Sequence, residues 1–331
     1  MKKTNLLAVL TLAATPAFLH AQETTSYSDI VGYTTSVVKG TGSSGSSQFF
    51  SFIPVQLQKD KVFQGSATAS GTTITLSGAS LTSGALNAGS TYPTHYLLLT
   101  SGANAGLSTD IVSNTTGAVT TVDDFSSYIN AGASVALVPH VKITDVLGVS
   151  GSQKIAGGST ASAADNIYLV GSDGNLKTFY YKTGVGAGLK NSLNQDATGL
   201  VVYPGEMILV GRKTTADTAS IVQTGLVPTS DTKSVLAQGY STACSGAPIP
   251  LKLSDLTAVA AGASTASSAD NIFVIDSATG QLKAFYYKTG VGAGWKTSAN
   301  AAADVNTDIA DGFVFLRRSS TPTTLGQSKT W

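Results

Sequence analysis

Residues 159–188 read STASAADNIYLVGSDGNLKTFYYKTGVGAG, and residues 264–294 read STASSADNIFVIDSATGQLKAFYYKTGVGAG. With one gap, 22 of 30 aligned positions are identical, and FYYKTGVGAG recurs unchanged. Self-similarity of this kind marks a repeated structural unit. Inside each copy the punctuation is that of a β-meander. Asn166–Val170 is a short run of apolar, β-branched and aromatic residues, and Gly171-Ser172-Asp173-Gly174-Asn175 is a turn. Leu176–Lys182 is the next strand, and Thr183–Gly188 is a glycine-rich loop. In the second copy Ser277-Ala278-Thr279-Gly280 replaces the first turn. The one-residue length difference falls there, where it leaves the strand register intact.

Outward from the repeat the likeness continues more faintly. Lys142–Val146 parallels Lys252–Leu256, and Gly205–Val210 parallels Gly312–Leu316. Basic residues follow both of the latter, Arg212-Lys213 and Arg317-Arg318. Upstream, Ile53–Leu57 resembles Ala247–Leu251. The reading is of two copies of one unit, the first interrupted. Strand-like runs at Thr72–Leu76, Tyr96–Thr100 and Ala118–Val122 give the interruption its own β-rich character. The expected organisation is a signal peptide over 1–21, the start of the first unit over 22–57 and an inserted β-rich subdomain over 58–140. A first repeat module over 141–213, a connector over 214–248 and a second module over 249–331 complete it. Only Ala299–Ala303 suggests a short turn of helix. The fold class expected is all-β, with duplicated β-meander or sandwich-like units and a β-rich insertion in the first.

Composition agrees with that class. The 331 residues include 43 Thr, 40 Ser and 35 Gly, which favour strands and turns over long helices. Charged residues make up 12%, about half the usual share, and the net charge is +1. That balance excludes electrostatic binding of nucleic acid and an acidic disordered chain. At the N-terminus Lys2-Lys3 precede the apolar run Leu6–Ala14, Pro16 breaks it, and Leu19-His20-Ala21 precedes Gln22. This is the layout of a secretory signal peptide cleaved after Ala21. The run is too short to span a bilayer, and no later stretch is long and apolar enough. Removal of Lys2 and Lys3 takes the charge from +1 to −1. The expected location is therefore periplasmic, cell-surface or extracellular. Cys244 is alone and cannot form an internal disulfide. It can be a small buried hydrophobe, a mixed-disulfide partner or a lipid site.

The order of Gly32-Tyr33-Thr34, Tyr96, Ser101-Gly102, Ser113-Asn114-Thr115, Ala164–Tyr168, Tyr180-Tyr181 and Pro204-Gly205 resembles an uncharacterised family of exported verrucomicrobial-type proteins. The resemblance covers most of the chain after the leader. It implies export and a β-rich fold, and it carries no catalytic residue.

Conventional chemistry is sparse. Gly184–Gly188 lacks the following helix and the Lys-Ser/Thr of a phosphate loop. No G-x-S-x-G elbow occurs. After the leader only His95 and His140 remain, with Glu23 and Glu206 as the only glutamates. Both histidines read as surface or strand-end residues. Asp123-Asp124 would face opposite ways on a strand. Asp304, Asn306, Asp308 and Asp311 begin like a calcium loop, but Ile309 stands where glycine is needed and Phe315 where a bidentate Glu belongs. Asp165-Asn166 and Asp270-Asn271 read as Asx-turns or as a paired ligand site. No catalytic residue, metal ligand or cofactor is assigned.

Alternation puts Leu176, Thr178, Tyr180 and Lys182 on one face of their strand and Lys177, Phe179, Tyr181 and Thr183 on the other. One tyrosine of each pair is thus expected on the core and one on the opposite face. Tyr180, Tyr181, Tyr286, Tyr287 and Trp295 are the candidate ligand or partner surface, since aromatic faces stack on sugar rings and on proteins. The functional expectation is an exported, non-catalytic structural, cell-surface or matrix protein. A carbohydrate-binding or adhesion module is the alternative, with glycans or other surface proteins as partners. A secreted hydrolase would need a set of side chains converging from distant positions. N-terminal sequencing of the exported form is expected to begin at Gln22; an intact Met1 on cytosolic protein would refute the leader.

Overall fold

The computed structural model describes residues 30–327, apart from 43–46, 87–90, 130–131, 172, 204, 216–217 and 247–249. The expected signal peptide lies outside the described residues. Among the described residues strands hold 45% and helices 3%, so the class is all-β.

The described residues open with β1 (Val31–Val38) and β2 (Phe49–Pro54), then enter a closed antiparallel barrel. The barrel strands are β3 (Phe63–Ser70), β4 (Thr73–Leu76), β5 (His95–Leu99), β6 (Ser108–Asn114), β7 (Ala118–Thr121) and β8 (Ala133–Pro139). They close in the order β3-β4-β7-β6-β5-β8, which leaves no free edge. Ile74, Leu97, Leu99, Ile111, Val135 and Leu137 fill the interior. Tyr96, Leu98, Ala136 and Val138 point out of the same wall and are buried as well. Burial on both faces explains why β5 and β8 read as continuous apolar runs instead of alternating.

After the barrel come β9 (Val141–Lys142), α1 (Ile143–Leu147), β10 (Asn166–Val170), β11 (Leu176–Lys182), β12 (Gly188–Asn191), β13 (Val201–Val202), β14 (Met207–Arg212) and β15 (Ala219–Leu226). The remainder is β16 (Thr232–Leu236), β17 (Gly239–Ala243), a 3-10 turn at Leu253–Leu256, β18 (Asn271–Ile275), β19 (Leu282–Lys288), β20 (Gly294–Thr297), β21 (Phe313–Arg317) and β22 (Thr323–Gln327). Two five-stranded sheets result, ordered β12-β11-β10-β14-β2 and β20-β19-β18-β21-β17. Position for position, the two orders match. In each, a flanking ribbon pairs the strand before the sheet with the strand after it, β1 with β15 and β16 with β22. The short helical turns also match: Asp145 caps one through Lys142 N at 2.9 Å, and Asp255 caps the other through Lys252 N at 2.8 Å. Ala299–Ala303 forms no helix; it is a turn with Asn300 left-handed at φ 60.

One face of the first sheet packs Ile53, Ile167, Tyr181, Ile208 and Val210 into its own core. The second sheet does likewise with Ile272, Phe285, Trp295, Phe313 and Phe315. The remaining faces meet each other through Phe52, Met207 and Leu209 on one side and Cys244 and Val314 on the other. Cys244 is therefore the buried small hydrophobe among its three readings, and its thiol donates to the Glu206 carbonyl at 3.1 Å.

The contact between the units is reciprocal, as in an isologous interface. The turn between β10 and β11 offers Gly174 O to Tyr240 N at 3.0 Å, and the turn between β18 and β19 offers Gly280 O to Phe50 N at 3.0 Å. Gly174 and Gly280 have φ +68 and +67, and a Cβ on Gly280 would stand 2.4 Å from the Phe49 ring. Only glycine meets both demands.

Each sheet is tied by a buried ion pair. Asp165 and Asp270 have no exposed surface. Asp165 accepts from Arg212 Nε at 3.3 Å, Lys213 N at 2.8 Å and Ala156 N at 2.9 Å. Asp270 accepts from Arg317 Nη1 at 2.9 Å, Arg318 N at 2.8 Å and Ala261 N at 2.8 Å. Both expectations for these aspartates are thereby corrected: they are neither Asx-turns nor a ligand site. Arg317→Met would strand the Asp270 charge and is expected to cost about 3–5 kcal/mol, with Arg317→Lys costing less. The urea midpoint measures it; a loss below about 1 kcal/mol at unchanged slope would contradict the assignment.

Candidate functional site

The aromatic hairpins are not a surface. Tyr180, Tyr181, Tyr286 and Trp295 are buried, and Tyr287 is half-buried against Trp295 with ring centroids 5.6 Å apart. Tyr181 enters the first core and donates to Gly148 O. Trp295 enters the second and donates Nε1–H to Thr257 Oγ1 at 3.0 Å. The expected outward tyrosines are covered as well. The turn after β12 brings Asn194 to the Tyr180 hydroxyl at 3.4 Å, and the turn after β20 brings Asn300 to Tyr286 at 2.9 Å. Both asparagines are left-handed, with φ 63 and 60, so each turn folds back over its sheet.

A polar cluster that the local sequence does not announce lies where the barrel meets the first unit. His140, just past β8, is buried, and its Nε2 lies 2.9 Å from Asp110 Oδ1 on β6. Tyr203, just past β13, donates to Asp110 Oδ2 at 2.7 Å. The imidazole sits between the Tyr96 and Tyr203 rings, each 4.9 Å away by centroid. Its Nδ1 has no hydrogen-bond partner among the described residues. Tyr203 N donates to Glu206 Oε2 at 3.2 Å, which adds a second carboxyl. Burial raises the Glu206 carboxyl to about 7; the Tyr203 amide opposes the rise and Asp110 adds to it. Burial and the Asp110 hydrogen bond keep the Tyr203 phenol protonated far above neutral pH. The other histidine, His95, stands beside this site on β5, and burial lowers its pKa.

Tyr203 and Glu206 face a cleft of ≈ 560 Å³ between the units, with Lys177, Gln238 and Tyr240 on its walls. A second cleft of ≈ 670 Å³ lies on the other side of the same interface, with Thr34, Lys39, Phe49, Lys283, Asp308 and Asp311 among its walls. The two clefts are built from matching elements. Lys177 and Phe179 line the first where Lys283 and Phe285 line the second, and β16–β17 line the first where β1–β2 line the second. Both have the size of ligand-binding clefts and mix aromatic with hydrogen-bonding side chains. Matching ion pairs brace their rims, Lys177 with Asp173 and Lys283 with Asp276. Lys283 and the Ala278 and Thr279 amides hold the Asp276 carboxyl down at about 2.

The remaining sequence candidates separate. Asp123 accepts from Thr109 Oγ1 at 2.8 Å, whereas Asp124 caps Ser126 N at 2.8 Å, so the neighbours form no carboxylate pair. In the calcium-like stretch Asp304 Oδ1 accepts from Asn306 N and Asp308 Oδ1 from Ala310 N, both at 2.9 Å. These carboxylates are turned onto their own loop. Among the described residues no three His, Cys, Asp or Glu side chains gather as a metal site. Also among them, no helix is long and apolar enough to cross a membrane. Comparison with protein-family models, with curated proteins and with solved structures found no match.

Glu206 sets a pH dependence. Its folded pKa stands above its ordinary 4.5, so protonation favours the fold. Its contribution is present below about pH 4.5 and is lost as pH rises to about 7. Glu206→Gln is expected to remove that decline and to exceed the parent above pH 7, by on the order of 2 kcal/mol. Thermal midpoints from pH 4 to 8 measure it; parallel curves for the two proteins would show that Glu206 is not the group responsible.

Proposed function

We propose that this is an exported, non-catalytic β-rich protein that serves at the cell surface or in an extracellular matrix. One observation carries the reading: the buried ionisable side chains fasten one element to another. Asp165–Arg212 and Asp270–Arg317 each close a sheet across 47 residues. Asp110, His140 and Tyr203 join the barrel to the first unit. The cluster converges from distant positions, as a hydrolase would require, yet its bonds run among its own members. Its phenol is protonated and donates to Asp110, so it is no nucleophile.

A second reading is glycan binding. The aromatic hairpins no longer support it, and the matching clefts between the sheets do. Cleft walls of tyrosine, lysine and amide side chains suit hydroxyl-rich rings.

Fractionation of the native host tests the first reading: the protein is expected in the envelope or the medium. Residence in the cytosol, or a hydrolytic activity lost in a folded His140→Gln variant, would overturn it. A glycan array tests the second. Binding that falls about tenfold in Tyr240→Ala and Gln238→Ala supports the cleft; an array without signal refutes it.

A further inference from the structure

Glu206 and Asp311 occupy the same place in the two units. Each lies six residues ahead of the arginine that ties its sheet, Arg212 or Arg317. The strand register agrees: Val210 pairs with Ile167 and Phe315 with Ile272, each two residues short of its arginine. The residues that follow the two acids meet across the contact between the units, where a Cβ on Gly312 would stand 2.9 Å from Met207 Cγ. The residues that precede them are held by one dipeptide. Cys244 N donates to Gly205 O at 2.8 Å, and Ser245 N donates to Ala310 O at 3.1 Å. Both acids therefore stand where the starts of β14 and β21 converge on the end of β17. Among the described residues neither carboxyl has a cation beside it; the Glu206 carboxyl accepts from Tyr203 N.

We propose that the contact between the two units is a pH-responsive joint, held closed while Glu206 and Asp311 carry their protons and loosened when they give them up. A carboxylate withdrawn from water without a cation is costly, so ionisation favours an arrangement that returns it to solvent. The surrounding groups deepen that cost. Glu206 has Asp110 of the barrel near it, with His140 bonded to Asp110, together with the Tyr203 phenol and the Cys244 thiol of the second unit. Tyr92 and Tyr240 stand on the same cleft. Asp311 has Asp308 of its own loop and the same thiol. The lysines of the two clefts are engaged elsewhere: Lys177 with Asp173, Lys283 with Asp276, and Lys39 with Ser277 O. Desolvation is the largest cause acting on both acids, and it raises Glu206 to about 7. The joint is thus closed below about pH 4.5 and loosens as pH rises toward 7. Glu206 is half-buried on one cleft and Asp311 is exposed on the other, so water reaches both without global unfolding.

Cys244, the sole cysteine of the chain and 2% exposed, reports on the joint. A thiol-reactive disulfide probe is used to label it in the full chain between pH 5 and 8. Each rate divided by that of a model thiol at the same pH gives the open fraction. This fraction is expected to rise about tenfold or more across the range, and to stay level in Glu206→Gln with Asp311→Asn. It is also expected to respond little to urea well below the unfolding midpoint, because opening the joint exposes little surface. If the double variant fails to fold, Glu206→Gln alone takes its place under the same criterion. An open fraction that does not change with pH, or that changes equally in the folded variant, would overturn the proposal. Labelling that climbs with urea at the slope of global unfolding would also overturn it, since the thiol would then be exposed only in the unfolded chain.

Discussion

A carboxylate withdrawn from water at the head of a central strand is the constraint on which each sheet depends. Asp165 precedes β10 and Asp270 precedes β18, and neither retains exposed surface. Removing an ionised carboxylate from water is costly unless a cation and additional donors replace the solvent. The replacement comes from the end of the neighbouring strand, through Arg212 or Arg317 and the following backbone amide. A further amide, Ala156 or Ala261, arrives from the preceding loop. Three separate segments are thereby brought to one point, so strand register and loop path are set together. The arginines extend the tie: Arg212 reaches Val38 O on β1, and Arg317 reaches Thr321 O just before β22.

The barrel breaks the parity of the two units. It enters after β2, whereas the corresponding connection after β17 in the second unit is a short segment. One of the two clefts therefore has Asp110, His140 and Tyr92 behind or beside it, and the other has Asp308 and Asp311. Burial raises the Asp311 carboxyl, with Asp308 adding to the effect. Matching backbones thus hold different electrostatics.

How far the sequence reaches follows from the distance over which each feature is encoded. The hairpins were legible to the residue, Asn166–Val170 and Leu176–Lys182, because β-branched and aromatic runs with turn residues between them are local signals. The tyrosines were not. Period-2 alternation assigns a side chain to a face, but what covers that face is a turn 14 residues downstream. The Asp110–His140–Tyr203 cluster spans separations of 30 and 93 residues, with no repeated partner to betray it. The buried ion pairs lie between these extremes. Each Asp and its Arg are 47 residues apart in both units, a matched spacing that the repeat contains and that an Asx-turn reading passes over.

The flanking ribbons determine how the molecule answers to tension. Val31 at the start of β1 is paired with Leu226, and Gln327 at the end of β22 is paired with Thr232. Only residues 227–231 separate Leu226 from Thr232 along the chain. A load applied at Val31 and Gln327 therefore reaches both ribbons at the ends nearest that linker. Antiparallel pairs pulled from such an end open one rung at a time, as a zipper does, and do not resist by shearing all rungs together. Each ribbon can begin to peel while the sheet beneath it keeps its own pairing, until the rungs that hold Val38 and Ile221, or Leu236 and Leu325, draw on the cores.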